Sequence, residues 1–524
     1  SRQQKPNWTP PSGMAAPEVI DAFIALGWHD RKVKPAPLAD DATFARRLYL
    51  DLAGRIPTSQ EAEQFASTSE RNKRSGLVDK LLATDDYARH MAEIYDVVLL
   101  GRRGDRIENR RKSNHWFEYL ETSFKENRPW DQMVRDLVIS RPAKPETKGA
   151  VVYLYERRDN FQEMAEAIAP LAFGVQIGCA QCHNHPLAAE IEQRHYWGLV
   201  AALNRSKNVD AKSGPGIAES ATGGFVSFAN LKKESQPAVL AFLNGKVVQE
   251  VRPAEGEKEK DLPELYLIPP AKEKEKPENP AVPKFSRRAA LAEAITHDNP
   301  MLARALVNRI WAMMLGRGIV QPVDQMDSRH RPSHPDLLDW LGQDFEKSGF
   351  DVKRLIRNIA CSRTYQLDSK WRGSNPPAPA AFARALEKPL SAEQLFRSLL
   401  VASRQQTPLR AESEDSLRQT IIARFPDLFA SENNASLQQA LFFSNSPLLD
   451  GLLKKEAHNT TGTLVEITDL DRRIERAFQI VLGRAPEKDE LASARSFLTK
   501  RDNEAGVKQF VWALLASAEF QVNH

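Results

Sequence analysis

Apolar side chains recur at the spacing of an amphipathic helix along most of this chain, and the pattern breaks across residues 206–285. In that interval, short runs rich in Val and Phe are followed by a charged, proline-rich stretch. At 524 residues the chain is too long for a single hydrophobic core. We therefore predict a mainly α protein in which two helical domains flank a small β-rich insertion.

Changes in composition divide the chain into five segments. Residues 1–30 are rich in proline and polar groups and predict an N-terminal arm, with helical spacing starting near Pro17. Residues 31–205 predict the first helical domain, and residues 206–268 predict the β insertion, with a turn at Asn244-Gly245. Residues 269–285 predict a solvated linker, and residues 286–524 predict the second helical domain.

Helix positions follow from the same periodicity. Thr58, with Glu61 three residues later, is typical of a capping box at the start of a helix. The predicted helices cover residues 42–52, 74–83, 88–100, 114–127, 130–139, 160–173, 193–203, 287–296, 301–315, 334–347, 352–361, 391–402, 437–443, 471–482, 488–498 and 508–516.

Composition and charge exclude several classes of protein. The chain has no run of 18 apolar residues, so we predict no membrane span. The net charge of +4 is small and charges of both signs are mixed, which does not favour nucleic-acid binding. Three cysteines cannot form a disulfide framework. The chain begins without an initiator Met or an apolar signal core, which fits a mature protein whose signal peptide has been removed.

The segment GVQIGCAQCHNHP, residues 174–186, carries the strongest chemical signal. CAQCH has the C-x-x-C-H form of a c-type haem attachment site. Two thiols one helical turn apart can each form a thioether with a haem vinyl group, and the adjoining histidine can coordinate the iron. We predict one covalent haem c, attached through Cys179 and Cys182, with His183 as the proximal iron ligand.

Other uses of these cysteines stay open. Zinc is the main alternative, with Cys179, Cys182, His183 and His185 as ligands, although structural zinc usually takes ligands from two separated knuckles. A redox dithiol would be expected in a βαβ context, which is absent from the pattern. The remaining alternative is a pair of buried, unreactive cysteines.

The residues around the motif suit a haem pocket. We expect His185 to support the site from outside the coordination sphere or to contact a haem propionate, because it lies only two residues beyond His183. The apolar and aromatic residues predicted to line the pocket are Phe173, Val175, Ile177, Leu187, Tyr196 and Trp197.

Histidines and arginines of the second half are further candidates. His334, in RPSHPDLLDW, is our preferred ligand on the distal side of the haem, with a helix-capping role as the alternative and His330 as a weaker candidate. Arg309, with Arg304 and Arg317 nearby, suits haem propionates or anionic sugars, and a salt-bridge network is the alternative.

Two acidic residues and a cysteine complete the set of candidates. Asp324 and Asp327 precede His330, and together they predict a polar cluster with potential for acid–base work. Cys361 lies on an apolar helix face and is predicted to be a buried hydrophobic residue.

Several long segments resemble a secreted family of planctomycetes and related bacteria. This family joins a cytochrome-c-associated domain of unknown function, called PSCyt, to a second domain of unknown function, called PSD. The segments are RRLYLDLAGRIPTSQEAEQF (46–65), LVDKLLATDDYARHMAEIYDVVLLGR (77–102), GVQIGCAQCHNHP (174–186), NPMLARALVNRIWAMMLGRGIVQPVDQM (299–326), SHPDLLDWLGQDFEKSGFDVKRLIRNIACSRTYQLDS (333–369), QALFFSNSPLL (439–449) and LGRAPEKDELASARSFL (482–498).

The resemblance implies export, since haem c is attached after export, and hence a periplasmic or secreted location. It also implies an association with polysaccharide degradation. Where relatives commonly read H-P-F-D-x-W, this chain reads H-P-L-A-A-E from His185, which puts its specificity or activity in doubt.

The residues and the resemblance together predict a secreted haem c protein and favour an oxidoreductase. Carbohydrate or peroxide is the expected substrate, with His334, His185 and Arg309 as candidate catalytic residues. The alternatives are an electron-transfer cytochrome with a redox partner, a glycan-binding scaffold cytochrome, and a zinc or other non-haem binding protein. No residue pattern fixes the substrate or the oligomeric state.

Overall fold

The computed structural model describes residues 8–102, 104–141, 145–254, 257, 259–272, 275–403, 411–423, 442–444 and 446–524. Helices dominate these residues and the strands form only two-stranded antiparallel sheets, so the predicted mainly α fold with a small β insertion is confirmed. Within the same residues, no helix combines the length and apolar character that crossing a membrane requires.

The α-helices are numbered in chain order. They are α1 (Ala16–Asp30), α2 (Asp41–Ala53), α3 (Ser59–Ser67), α4 (Lys73–Leu82), α5 (Asp85–Leu100), α6 (Asp105–Ser113), α7 (Trp116–Lys125), α8 (Trp130–Ile139), α9 (Val152–Tyr155), α10 (Phe161–Phe173), α11 (Gln193–Leu203), α12 (Arg287–Thr296), α13 (Pro300–Leu315), α14 (Pro335–Lys347), α15 (Val352–Cys361), α16 (Ala392–Ser403), α17 (Ala411–Ile422), α18 (Pro447–Leu452), α19 (Thr460–Glu466), α20 (Leu470–Val481), α21 (Lys488–Thr499), α22 (Asn503–Leu515) and α23 (Ala518–Gln521).

The strands are short and pair locally. They are β1 (Ser206–Ala211), β2 (Gly214–Glu219), β3 (Ser227–Ala229), β4 (Ser235–Pro237), β5 (Leu240–Ala241), β6 (Val247–Val248), β7 (Tyr266–Ile268), β8 (Val282–Pro283), β9 (Lys388–Pro389) and β10 (Val522–Asn523). The pairs are β1–β2, β3–β4, β5–β6, β7–β8 and β9–β10.

Several helix ends follow directly from local sequence signals. The predicted capping box forms at the start of α3, where the Thr58 amide donates to the Glu61 carboxylate at 2.7 Å and the Glu61 amide donates to Thr58 Oγ1 at 3.2 Å. Helices α8, α11, α12 and α15 have the predicted ends. The predicted helix over 437–443 falls largely outside the described residues.

The segment predicted as an N-terminal arm contains helix α1, and one face of this helix is buried in the folded protein. Val19, Ile20 and Ile24 are buried on one face of α1. Trp28 Nε1 donates a hydrogen bond to the Ala381 carbonyl at 2.8 Å, although the two residues are 353 positions apart. Burial of this apolar face stabilises α1, so residues 16–30 belong to the folded core.

The described chain divides into two compact units, each built from more than one segment. The first unit contains residues 94–312 and 317–356, together with the described part of residues 1–9. The second unit contains residues 10–93, 313–316 and 357–524. These units are defined by contacts within the folded chain, and the domain boundaries drawn from sequence stay a prediction.

The hydrophobic core of the second unit takes side chains from both of its long segments. Leu50 of α2 and Ile56 come from the N-terminal segment, while Leu395, Phe478 and Val511 come from α16, α20 and α22. All five side chains are less than 5 % exposed. The unit therefore depends on pairing segments that are far apart in sequence.

The β insertion is part of the first unit and is anchored by a buried carboxylate. The predicted turn at Asn244-Gly245 forms between β5 and β6, with Gly245 at φ +82°. Glu219, at the end of β2, accepts hydrogen bonds from the Ser286 hydroxyl and the Arg287 amide, both at 2.6 Å. These bonds tie β2 to the start of α12.

The segment predicted as a linker returns to the insertion that precedes it. Strand β8, near the end of that segment, pairs with β7, and the Ala281 carbonyl accepts a hydrogen bond from the Glu219 amide at 3.0 Å. Residues 269–281 therefore form a connection whose two ends are held together.

Candidate haem-attachment site

The cysteine motif lies on a tight turn that follows α10. Helix α10 ends at Gly174, which has φ +66°, a conformation that favours glycine. A side chain here would also collide with Met326, whose Sδ lies 2.8 Å from the position of an added Cβ. The chain then forms a short 3-10 turn over Gly178–Gln181, and Cys179 and Cys182 are both exposed and unpaired.

His183 follows directly and has one ring nitrogen engaged. Its Nδ1 lies 2.6 Å from the Asn184 carbonyl oxygen, so Nδ1 carries the proton and donates. Because Nδ1 is engaged in this way, Nε2 is the ring nitrogen left for another partner. The ring is partly exposed. An imidazole anchored in this way presents Nε2 as a metal ligand.

His185 has a different role in the same loop. It is 7 % exposed, and its Nδ1 accepts hydrogen bonds from the backbone amides of Leu187 and Ala188, at 3.2 and 3.0 Å. The His185 amide donates to the Ile191 carbonyl at 2.8 Å. The side chain thus satisfies loop amides that would otherwise be unpaired, and it holds the loop that follows the motif.

Two side chains of helix α11 donate hydrogen bonds to the backbone of the cysteine turn. The Gln181 carbonyl accepts hydrogen bonds from Trp197 Nε1 at 3.0 Å and from Gln193 Nε2 at 3.2 Å. Trp197 stacks on Phe228 of β3, with ring centroids 6.1 Å apart and planes within 1° of parallel. The turn therefore rests on an aromatic layer that fixes its backbone.

Tyr196 lies beside the second cysteine. Its hydroxyl donates to Glu166 Oε1 at 3.2 Å, and its ring is fully buried. Burial raises the pKa of Tyr196, the Glu166 carboxylate raises it further, and Cys182 adds a smaller contribution. The phenol consequently stays protonated and donates a hydrogen bond at this side of the turn.

A second loop, after α13, lies against the cysteine loop. The side chain of Asn308 fixes the start of this loop through hydrogen bonds to the backbone of Val320 and Val323. Further along, the Met326 amide donates to the Gly174 carbonyl at 2.8 Å. The Glu190 carboxylate accepts from the Ser328 amide and hydroxyl at 2.6 and 2.9 Å. These contacts bind the two loops together at both ends.

Asp327 organises the polar side chains of this second loop. Its carboxylate is buried and accepts from Arg329 Nε at 2.9 Å and from His330 Nδ1 at 3.1 Å. Burial alone would raise the pKa of Asp327, but the hydrogen bonds from Arg329 lower it below its usual range. Asp327 therefore remains charged and holds both neighbours in fixed positions.

Arg329 brings a positive charge to the second loop. The hydrogen bonds from its guanidinium to Asp327 raise the pKa of Arg329. The side chain is 28 % exposed. The loop that carries Arg329 and His330 is thus tied to the loop that carries the cysteines by the hydrogen bonds of Met326 and Ser328, all within the first unit.

The remaining predicted site residues have other surroundings. His334 occupies the N-cap position of α14 but makes no capping hydrogen bond, and its Nδ1 lies 3.1 Å from the Ser333 hydroxyl. Arg309 is 3 % exposed and donates to Asp324 and to the Pro170 carbonyl. The predicted polar cluster is therefore divided, with Asp324 paired to Arg309 and Asp327 holding His330.

The burial of the predicted pocket residues and of Cys361 is only partly as expected. Phe173, Val175 and Ile177 are buried, whereas Leu187 is 71 % exposed. Cys361 is partly exposed, and burial raises the pKa of its thiol. Among the described residues, no three His, Cys, Asp or Glu side chains are grouped as a metal site would need. Zinc binding stays a prediction.

Comparison with known proteins places the chain in a domain pairing of unknown function. Residues 19–208 match the family model PSCyt2, described as a protein of unknown function (DUF1549). Residues 287–423 match the family model PSD1, also described as a protein of unknown function (DUF1553). The chain therefore pairs a PSCyt-type domain with a PSD-type domain, the pairing that its motifs predicted. No curated protein and no solved structure matches it.

The sequence analysis missed how Asp327 connects the two halves of the site. The motif RPSHPDLLDW directed attention to His334, because a histidine at a loop-to-helix junction is a plausible ligand. The signal for His330 was its spacing, since Asp327 lies three residues earlier and Arg329 lies between them. Such spacing lets one carboxylate hold both side chains, but only tertiary contacts tie their loop to the cysteine loop.

Proposed function

We propose that this protein is a secreted haem c oxidoreductase, with one haem attached covalently through Cys179 and Cys182 and with His183 as the proximal iron ligand. One observation carries this proposal. Two exposed, unpaired thiols lie on one turn and are followed by an imidazole whose Nδ1 is bonded to a backbone carbonyl. The residues fit the group, since the thiols can reach vinyl carbons and the anchored ring leaves Nε2 for iron.

Each part of the chain contributes a separate task to this function. The haem, when bound, supplies one-electron redox chemistry and a coordination position for a small ligand. Gln181, held by Trp197, keeps the turn in place, so that both attachment points are fixed before the haem is bound. Tyr196 and its aromatic neighbours supply an apolar wall on the α11 side. His330 and Arg329 supply polar groups from the second loop.

The substrate proposed for the oxidoreductase is a peroxide or a carbohydrate. An electron-transfer cytochrome is the second candidate, and the exposure of both cysteines favours it, because a haem attached there would lie within reach of a redox partner. The two candidates differ in the coordination of the iron. An open sixth position is expected for the enzyme, and two protein ligands are expected for the electron carrier.

The test is to express the chain with an export signal in cells that mature c-type cytochromes. We expect a Soret band, a c-type α band after reduction, and an intact mass raised by one haem. The double variant Cys179→Ser/Cys182→Ser should lose all three features. Cys361→Ser, which changes the third cysteine outside the motif, should keep them. A colourless protein of unmodified mass, in cells that mature a control cytochrome, would overturn the proposal and direct attention to zinc.

A further inference from the structure

We propose that the first unit binds a small monovalent anion of the chloride class where the β insertion meets α8 and α12. The ligands are the guanidinium groups of Arg141 and Arg288 and the hydroxyl of Ser206. This inference goes beyond the proposed haem function and does not depend on it. It is carried by a single buried carboxylate that two arginines share, together with buried polar atoms that have no partner among the described residues.

Glu219 is the carboxylate at the centre of this cluster, and its side chain is fully buried. Its Oε2 accepts a hydrogen bond from the Arg141 guanidinium and lies 3.5 Å from Arg288 Nε. The Ser286 hydroxyl donates to the same oxygen at 2.6 Å. Its Oε1 accepts the backbone amides of Arg287 and Arg288, at 2.6 and 3.4 Å. All of these contacts come from donors, so Glu219 supplies one negative charge.

The two guanidinium groups carry one positive charge more than this carboxylate neutralises. Burial lowers the pKa of Arg288 to about 10, which still leaves the side chain protonated at neutral pH. A buried charge without a counter-ion is strongly unfavourable. Arg111, elsewhere in the same unit, shows the usual solution, since its guanidinium contacts two carboxylates at 2.8 and 2.9 Å. Arg141 and Arg288 share a single one.

The same cluster contains buried polar atoms that no group in the described part of the chain satisfies. These atoms are Arg288 Nη1, Arg141 Nε and Ser206 Oγ. Arg288 and Ser206 are 0 % and 5 % exposed, so bulk water does not solvate them. Ser206 is paired directly with Glu219 across β1 and β2, and directly opposed residues project their side chains from the same face. Arg288 is held along β2 by its Nη2, which donates to the Ile217 carbonyl at 2.8 Å.

A chloride ion matches both the charge and the hydrogen bonding of this cluster. It carries the one negative charge that is missing, and it accepts hydrogen bonds from guanidinium and hydroxyl groups. Two guanidinium groups repel a cation, and a doubly charged oxyanion would exceed the surplus of one positive charge. The Arg141 side chain is 18 % exposed, so it provides the route by which an ion enters from solvent.

The bound ion joins three segments of the first unit. Arg141 follows α8, Ser206 begins β1, and Arg288 lies in the first turn of α12. A ligand that contacts all three binds only the folded arrangement, because these segments separate on unfolding. Chloride should therefore stabilise the attachment of the β insertion to the helices by mass action.

The test measures hydrogen exchange by mass spectrometry on the whole chain, in sodium chloride and in sodium gluconate at equal ionic strength. Gluconate is too large for a buried cluster, so a difference between the salts reports binding of a small anion rather than screening. Peptides from β2 and α12 should exchange about 10-fold more slowly when chloride is present at about ten times its dissociation constant. Peptides from α20, in the second unit, should exchange equally in both salts.

Two variants remove the reason for binding an anion. Arg141→Met removes the surplus positive charge and leaves the other arginine paired with Glu219, so the difference between the salts should disappear. Ser206→Asp supplies a fixed carboxylate in place of the ion and should also abolish the difference. Arg135→Met is the matched control, because Arg135 pairs with a carboxylate of α12 at 2.8 Å and joins the same two helices outside the cluster. It should keep the full effect of chloride.

Equal exchange of the β2 and α12 peptides in both salts means that water fills the cluster, and it overturns the inference. An effect of chloride that persists in Arg141→Met also overturns it, because the ion then binds elsewhere. If the variants do not fold, crystals of the unaltered protein soaked in bromide decide the question. An anomalous peak within hydrogen-bond distance of Arg288 Nη1 supports the site, and its absence refutes the site. None of these measurements depends on haem, so this inference and the proposed function fail separately.

Discussion

His90 should make the second unit sensitive to mild acid. The ring is 1 % exposed, and neither of its nitrogens has a hydrogen-bond partner among the described residues. It lies directly over Gly54, where an added Cβ would be 2.4 Å from Nδ1. Burial, and to a smaller extent the charge of Arg397, lower the pKa of His90 to about 3. The substitution His90→Phe keeps a flat ring in this place and removes the titratable group.

The size of the effect follows from the two pKa values. An exposed imidazole in the unfolded chain titrates near 6.5, whereas the buried ring of His90 stays neutral until about pH 3. The unfolded chain therefore binds the proton first, and the stability that neutral His90 allows is complete above pH 6.5 and is lost as the pH falls towards 3. Linkage gives a loss of about 2 kcal/mol in the free energy of unfolding between pH 7 and pH 5.

The assay compares urea unfolding of wild type and His90→Phe at pH 7, 6 and 5. Hydrogen exchange measured by mass spectrometry on peptides from α2 follows the second unit specifically, because the chain contains two compact units. Other titrating groups are present in both proteins, so their contributions cancel in the difference. His29→Phe is the control, since the His29 side chain is 88 % exposed and should not affect the pH dependence.

The result that refutes this reasoning is a parallel loss of stability in both proteins. If wild type and His90→Phe lose the same free energy between pH 7 and pH 5, then the imidazole is protonated in the folded state. If His90→Phe does not fold, His90→Met provides the second comparison, because methionine adapts to irregular spaces and does not titrate.

A buried ion pair can be tested in the second unit and close packing in the first, each with a control variant. Lys388→Met leaves the buried carboxylate of Asp51 without its cation at 2.5 Å, so unfolding measurements should show a loss of about 3–5 kcal/mol. The double variant Asp51→Asn/Lys388→Met should recover most of it, and an equal loss in both contradicts the pairing. Gly198→Ala places a Cβ 2.2 Å from the Ala241 carbonyl oxygen and should lower stability by about 1–3 kcal/mol. Gly76→Ala, within α4 and free of such contacts, should instead stabilise the protein, and a similar loss there would refute the packing argument.

Much of the helical fold follows from local sequence signals. Helices α11 and α12 begin and end at the predicted residues, because their apolar periodicity stops abruptly at polar or turn-forming residues. The charged helix α6 was not predicted, since DRIENRRKS has no apolar stripe. Burial of α1 was missed for a different reason. Its partner Ala381 is 353 residues away, and no local pattern reports such a contact.

In the candidate site, likewise, residues that are adjacent in sequence could be predicted, whereas contacts between distant residues could not. Cys179, Cys182 and His183 are adjacent in sequence, so their motif is readable without a structure. The hydrogen bonds that tie the second loop to the cysteine loop join Ser328 to Glu190, which lie 138 positions apart in sequence. Sequence reasoning named His330 only as a weaker alternative to His334, because it could not weigh exposure or the shared carboxylate.

The positions of the two units along the chain determine the order in which they can fold during synthesis. Every segment of the first unit lies at or before residue 356, so the whole unit has been made before synthesis of the chain ends. The second unit must wait, because Leu50 and Ile56 pack on helices that are made last. Closing this long loop has an entropic cost, which makes the pairing slow. Until then Leu50 and Ile56 lack the side chains on which they pack in the folded protein.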